Sequence, residues 1–153
     1  METSELRRLL DQAVESSGSQ RVAAALEGLA SSDASEERAL TIIANAGIHS
    51  IPPAFLRGEV YEASRGDWDA SSEEALLLEL RRILAQLVHK LRSGRWNRVY
   101  LIPTGHPILS LQIKAMVYRI LRLNTIDLYY KAGSYFEVDL DQRAIALSEE
   151  NRG

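Results

Sequence analysis

Apolar residues recur along the chain with two periods, and the change between them divides it near the middle. In "TSELRRLLDQAVESSG", Leu6, Leu9, Leu10 and Val14 share one helical face, with Thr3 or Ser4 as the cap and Gly18 as the stop. Val22, Ala25, Leu26 and Leu29 repeat that spacing in the next run. A third run, Ser35 to Ala46, places Leu40, Ile43 and Ala44 together and ends at Gly47, a residue suited to a left-handed stop. The pattern predicts three short helices in a helical, adaptor-like segment over residues 1–55.

Between Ile48 and Asp69 the period is lost. Pro52 and Pro53 remove two ladder donors, so "IHSIPPAF" is no central strand, and the stretch around the possible strand Glu59–Ala63 reads as a connector or as an edge element. The second half is patterned more strongly. Ser71 and Glu74 read as a capping box, followed by a stripe of Leu76, Leu80, Ile83, Leu87 and Leu91 that predicts a helix to about Leu91. Arg98–Ile102 reads as a strand, Ile108–Leu123 as a helix and Thr125–Tyr130 as a second strand. After the turn "KAGS", Tyr135–Leu140 alternates as a third strand, antiparallel to its predecessor.

Strand, helix and strand in this order make a βαβ unit with parallel strands. The expected fold class is therefore α/β, a small and mainly parallel sheet with covering helices, preceded by the helical segment. Residues 56–147 form the sheet domain in this reading and 148–153 a flexible polar tail. Three strands stand out and the candidates at 48–51 and 59–63 would make five, so either the sheet is small or a partner chain completes it.

The length of 153 residues fits one domain, the usual size being roughly 100–200 residues. With 46% apolar and 25% charged residues the chain can bury a core. The absence of cysteine excludes disulfides, thiolate zinc sites and cysteine nucleophiles. No apolar segment reaches the roughly 18 residues of a membrane span, and the N-terminus lacks the apolar core of a signal peptide, so a cytoplasmic location is expected. A net charge of −3 argues against a protein that coats long nucleic acid with its whole surface. The charge is uneven, however. From Leu80 to Ile126 there is no acidic residue, while Arg81, Arg82, Lys90, Arg92, Arg95, Arg98, Lys114, Arg119 and Arg122 are all basic. That run brackets one turn and favours an anionic ligand there, or a basic face turned to solvent or an acidic subunit.

The turn is Pro103-Thr104-Gly105-His106-Pro107, where a buried strand passes into a helix. Ligands of open α/β sheets bind beyond the carboxyl ends of strands. In that position Gly105 leaves room for close backbone approach, Thr104 and Ser110 offer hydroxyls, and the helix N-terminus can meet a phosphate. Pro107 suits the first helical turn. The alternative is an ordinary strand-to-helix turn, which uses the same residues for geometry alone. Tyr129 and Tyr130 point to opposite sides of a strand, so one of them is a candidate for the cleft wall. His49 and His89 are too far apart in sequence to indicate a metal site. Trp68 and Trp96 read as boundary or core aromatics, either of which could stack on a base, and Asp67 and Asp69 read as turn residues. A serine hydrolase finds no Gly-x-Ser-x-Gly elbow.

The succession "EEALLLELRRILAQLVHKLRSG", "RVYLIPTGHPILSLQ", helix, "IDLYY" and "GSYFEVDL" resembles the Rossmann-like half of the SAVED and CARF sensor domains, over about residues 71–140. The resemblance implies a sensor of a phosphorylated nucleotide second messenger, a cyclic oligonucleotide made by bacterial antiphage systems. It places Pro103, Thr104, Gly105, His106 and Ser110 around the ligand and Tyr129 or Tyr130 near a base, with Lys114 added by its charge. A lone half implies a homo-oligomer or an effector partner. No cofactor, metal or catalytic residue is expected. The alternatives are a non-enzymatic adaptor or subunit of a larger complex, and a phosphodiesterase or ring nuclease using His106 with a tyrosine or lysine.

Overall fold

The computed structural model describes residues 37–150 and, before them, only Arg8, Asp11, Gln12, Gln20, Val22 and Ala23, which are helical. The two helices expected upstream of residue 35 and the end of the tail otherwise lie outside the described residues. The chain divides into two compact units, Met1–Glu37 and Arg38–Gly153, and the sheet lies in the second.

Five strands form one sheet: β1 (Ala39–Ala46), β2 (Glu59–Arg65), β3 (Arg98–Ile102), β4 (Ile126–Lys131) and β5 (Ser134–Val138). Their spatial order is β2-β1-β3-β4-β5. The first four run parallel, with Leu40 opposite Glu59 and Val99, and Tyr100 opposite Ile126. β5 closes the edge antiparallel, with Tyr130 opposite Tyr135. Helix α1 (Glu73–Arg92) joins β2 to β3, and α2 (Pro107–Leu121) joins β3 to β4. A third helix, α3 (Gln142–Glu150), follows β5.

The decisive difference from the sequence expectation is β1. Residues 39–46 are a strand at the heart of the sheet, not the end of a third helix, and the boundary between units falls at Glu37/Arg38 rather than near residue 55. All eight residues of "ALTIIANA" are buried, because both faces of the strand are covered. On one face Leu40, Ile42 and Ala44 pack with Val99 and Leu101 beneath the helical layer, which contributes Ile83, Leu87 and Leu91 of α1 and Leu109, Ile113 and Val117 of α2. On the other face, Ala39, Ile43, Tyr100, Ile102, Ile126 and Leu128 pack against Ile51, Phe55 and Leu56 of the β1–β2 connection. A strand sandwiched in this way needs no polar alternation. It also supplies the strand that the helical pattern of residues 35–46 conceals, and all five strands of the sheet come from this chain.

The two-proline segment is that connection. Pro53–Phe55 forms a single 3-10 turn with proline at its start, and Ile48–Ile51 is not a strand. Thr41, fully buried in β1, fastens it: its hydroxyl donates to the Arg57 carbonyl at 2.7 Å and accepts from the Arg57 N–H at 3.0 Å. Helix α1 starts one residue later than the capping-box pattern indicates. Ser72, not Ser71, is the N-cap and accepts from the Ala75 N–H at 3.1 Å, while the Ser71 hydroxyl turns to Asp69. Ser148 to Glu150, expected in a flexible tail, belong to α3.

Candidate binding site at the carboxyl ends of β1 and β3

In the order β2-β1-β3-β4-β5 the chain leaves β1 toward one side for β2 and places β3 on the other. Such a reversal opens a crevice beyond the carboxyl ends of the two strands, because their outgoing loops part in opposite directions. Residues 103–106 form the rim of that crevice.

Their local geometry is fixed from β1. The Thr104 hydroxyl donates to the Asn45 carbonyl at 2.6 Å and accepts from the Asn45 N–H at 3.1 Å, extending the β1–β3 pairing beyond the last ladder residue. Gly105 has φ +84°, and a Cβ there would lie 2.7 Å from the Asn45 Cβ. The glycine is thus required by the turn and by the close approach of β1, whether or not a ligand comes near. His106 is the N-cap of α2 without a side-chain cap bond, Pro107 is its first residue, and no acidic residue lies in its first turn.

Two clefts meet at Gly105, which lines both. The larger, of about 630 Å³, lies toward β4 and β5. Pro103, Thr104 and Gly105 from the end of β3, Tyr129 and Tyr130 of β4, Tyr135 of β5, and His49 and Ser50 after β1 line it. Tyr130 and Tyr135 face each other across the β4–β5 register with ring centroids 5.2 Å apart, and Tyr135 also packs on Phe55 at 5.1 Å. Burial, followed by the neighbouring Tyr130, pushes the Tyr135 phenol above its ordinary value. The smaller cleft, of about 340 Å³, lies toward β2 and is lined by Asn45, Gly66, Asp67, Trp68 and His106. The rings of Trp68 and His106 sit 5.1 Å apart.

The expected site residues therefore separate. Pro103, Thr104, Gly105, Tyr129 and Tyr130 come together; both tyrosines line the cleft and neither belongs to the core, with 58% and 60% exposure. His106 stands across the turn from them. Ser110 is buried on α2, and its hydroxyl lacks a hydrogen-bond partner among the described residues. It lines neither cleft. Lys114 is elsewhere: it pairs with Asp127 in a third cleft of about 530 Å³ between α2 and the β4–β5 edge.

The expected concentration of positive charge at the turn is also absent from the cleft walls. Among the described residues, neither cleft at Gly105 is lined by lysine or arginine, and Asp67 is the carboxylate in their walls. Basic residues of the run instead meet carboxylates from its flanks and from β2: Arg82 pairs with Glu79, Lys90 with Glu59 and Lys114 with Asp127. Asn45 is not apparent from the sequence, because its segment also fits a helical face, and Asp67 carries only a turn signal. The signal for both was the turn-forming Gly47 and Gly66 that follow two strands.

No protein-family model, curated protein or solved structure matches the chain. Among the described residues no group of three His, Asp or Glu side chains is arranged to hold a metal ion, and no helix is long and apolar enough to cross a membrane.

Proposed function

We propose that the chain is a binding domain for a phosphorylated nucleotide and that it relays occupancy to a partner; its resemblance to the SAVED and CARF sensors makes that nucleotide a cyclic oligonucleotide second messenger of a bacterial defence system. The observation that carries this reading is the tyrosine-lined cleft at the reversal of the strand order, with Gly105 at its rim. The strand order 2-1-3-4-5 also supports a Rossmann-like description of the sheet. A base stacks on Tyr129 or Tyr130, since each base–aromatic contact contributes about 1–3 kcal/mol. A phosphate meets the N-terminus of α2, where the helix dipole favours an anion and the first turn itself carries no acidic side chain, although Asp67 stands in the wall of the smaller cleft beside it. Phosphate recognition then rests on backbone rather than on lysine or arginine.

Binding is favoured over hydrolysis because the His106 ring packs against Trp68 instead of being oriented by a carboxylate among the described residues. A second reading, an adaptor or subunit, draws on Phe136, Val138 and Leu140, apolar residues exposed at the β5 edge. Titration calorimetry of the full chain against AMP, cyclic di-AMP, cyclic tri-AMP and their guanine counterparts tests the first reading. Saturable heat from at least one is expected, and silence across the panel overturns it. Light scattering that shows association through the β5 edge, combined with that silence, would favour the second.

A further inference from the structure

The two edges of the sheet differ in their protection. At one, β2 carries Glu59, Glu62 and Arg65, with Arg65 paired to Glu62 and Lys90 to Glu59. Charged side chains along an outer strand guard it against pairing with another chain. At the other edge, β5 has the sequence Ser-Tyr-Phe-Glu-Val, and its one charged residue, Glu137, is engaged by Arg57 of the same chain. Ser134 and residues 136–138 are exposed, and among the described residues no strand pairs with the outer side of β5. Beyond β5 the chain turns to the helix layer, where Gln142 and Arg143 of α3 line the Lys114 cleft.

The β4–β5 turn fixes which backbone groups of β5 face outward. Ala132 and Gly133 both have positive φ, 51° and 84°, which makes the two-residue connection a type I′ turn. The pair that flanks such a turn, Lys131 and Ser134, exchanges backbone hydrogen bonds, and bonded and non-bonded pairs alternate along an antiparallel ladder. Ser134, Phe136 and Val138 therefore bond to β4. The N–H and carbonyl groups of Tyr135 and Glu137 face the open edge.

We infer that this edge pairs with the same edge of a second copy of the chain, antiparallel about a two-fold axis at Phe136, so that the two sheets become one continuous sheet. Tyr135 then exchanges both backbone bonds with Glu137 of the second copy, and the two Phe136 residues form the close, non-bonded pair at the axis. A two-fold interface has to complement itself. The reversed strand does so: the exposed Lys131 at one end of the β4–β5 hairpin comes to the end that carries Asp139 and Asp141 in the other copy, and the axis repeats the match. A parallel arrangement would bring like charges together. Tyr135 and Glu137 share a face of β5, so Glu137 of the second copy borders the tyrosine cleft beside Tyr135. The inference gives the exposed β5 edge its partner and holds whether or not a nucleotide binds.

The test combines sedimentation equilibrium of the full chain with cross-linking through single introduced cysteines, the chain having none of its own. At the axis, Phe136→Cys would stand about 4.5 Å from its copy, Cα to Cα, a separation that a disulfide spans. Ser134→Cys would lie about 14 Å from its copy, four residues further along the paired strand, and serves as the control. The unmodified chain is expected to sediment at twice the monomer mass, and Phe136→Cys to become a covalent dimer under mild oxidation much faster than Ser134→Cys. Phe136→Lys sets two like charges face to face at the axis and is expected to be monomeric where the unmodified chain is dimeric. Its thermal transition should persist, because Phe136 is 52% exposed. An unmodified chain that stays monomeric at every concentration would overturn the inference, as would equal cross-linking of the two cysteines or a dimer that survives Phe136→Lys.

Discussion

Ser110 and Gly105 show how a single residue type carries two meanings. A serine near a helix start is a candidate phosphate ligand, and a glycine before a helix is a candidate for close backbone approach. Here Ser110 lies under α2 with its hydroxyl unpartnered among the described residues, and Gly105 answers to φ +84° and to the Cβ of Asn45. Neither fact was legible in the sequence, because each depends on what β1 brings alongside. Ser110→Ala is expected to stabilise the protein by about 1 kcal/mol, since it removes an unsatisfied buried hydroxyl and raises helix propensity. Denaturant unfolding measures the change, and nucleotide affinity should not follow it. Destabilisation, or loss of binding, would place the hydroxyl in an interaction that the packing does not contain.

At the scale of elements, legibility followed the local signal. Helices α1 and α2 and strands β3 to β5 were readable because amphipathic stripes or strand-rich runs lay between clear turn residues. In β1, Leu40, Ile43 and Ala44 also fit a helical face, and only the sheet on both sides makes the segment a strand. Two adjacent serines left the start of α1 ambiguous by one position. Ser72→Ala should lower stability by about 1 kcal/mol through loss of the N-cap bond to Ala75, and Ser71→Ala by less. Thermal or denaturant midpoints of the two variants decide this, and the opposite ranking would restore the cap to Ser71.

For the molecule as a whole, β1 joins the two faces of the sheet to the site. It pairs with β2 and β3, contributes to both apolar clusters and supplies Asn45 to the turn. A chain begun at Leu56 is expected to show no cooperative unfolding by circular dichroism, because it lacks this strand; a native-like transition would contradict its central place. The charge distribution could be counted from the sequence, but its location could not, since Glu59 and Asp127 reach the basic residues only through tertiary packing. That relocation separates the tyrosine cleft from the Lys114 cleft as binding places. Calorimetry with the tightest-binding nucleotide of the panel, repeated on the double variant Tyr129→Ala with Tyr130→Ala and on Lys114→Ala, distinguishes them directly. The double tyrosine variant should weaken binding about ten-fold or more through the lost stacking, with Lys114→Ala close to the unmodified chain; full affinity in the double tyrosine variant with a large loss in Lys114→Ala would put the ligand in the other cleft.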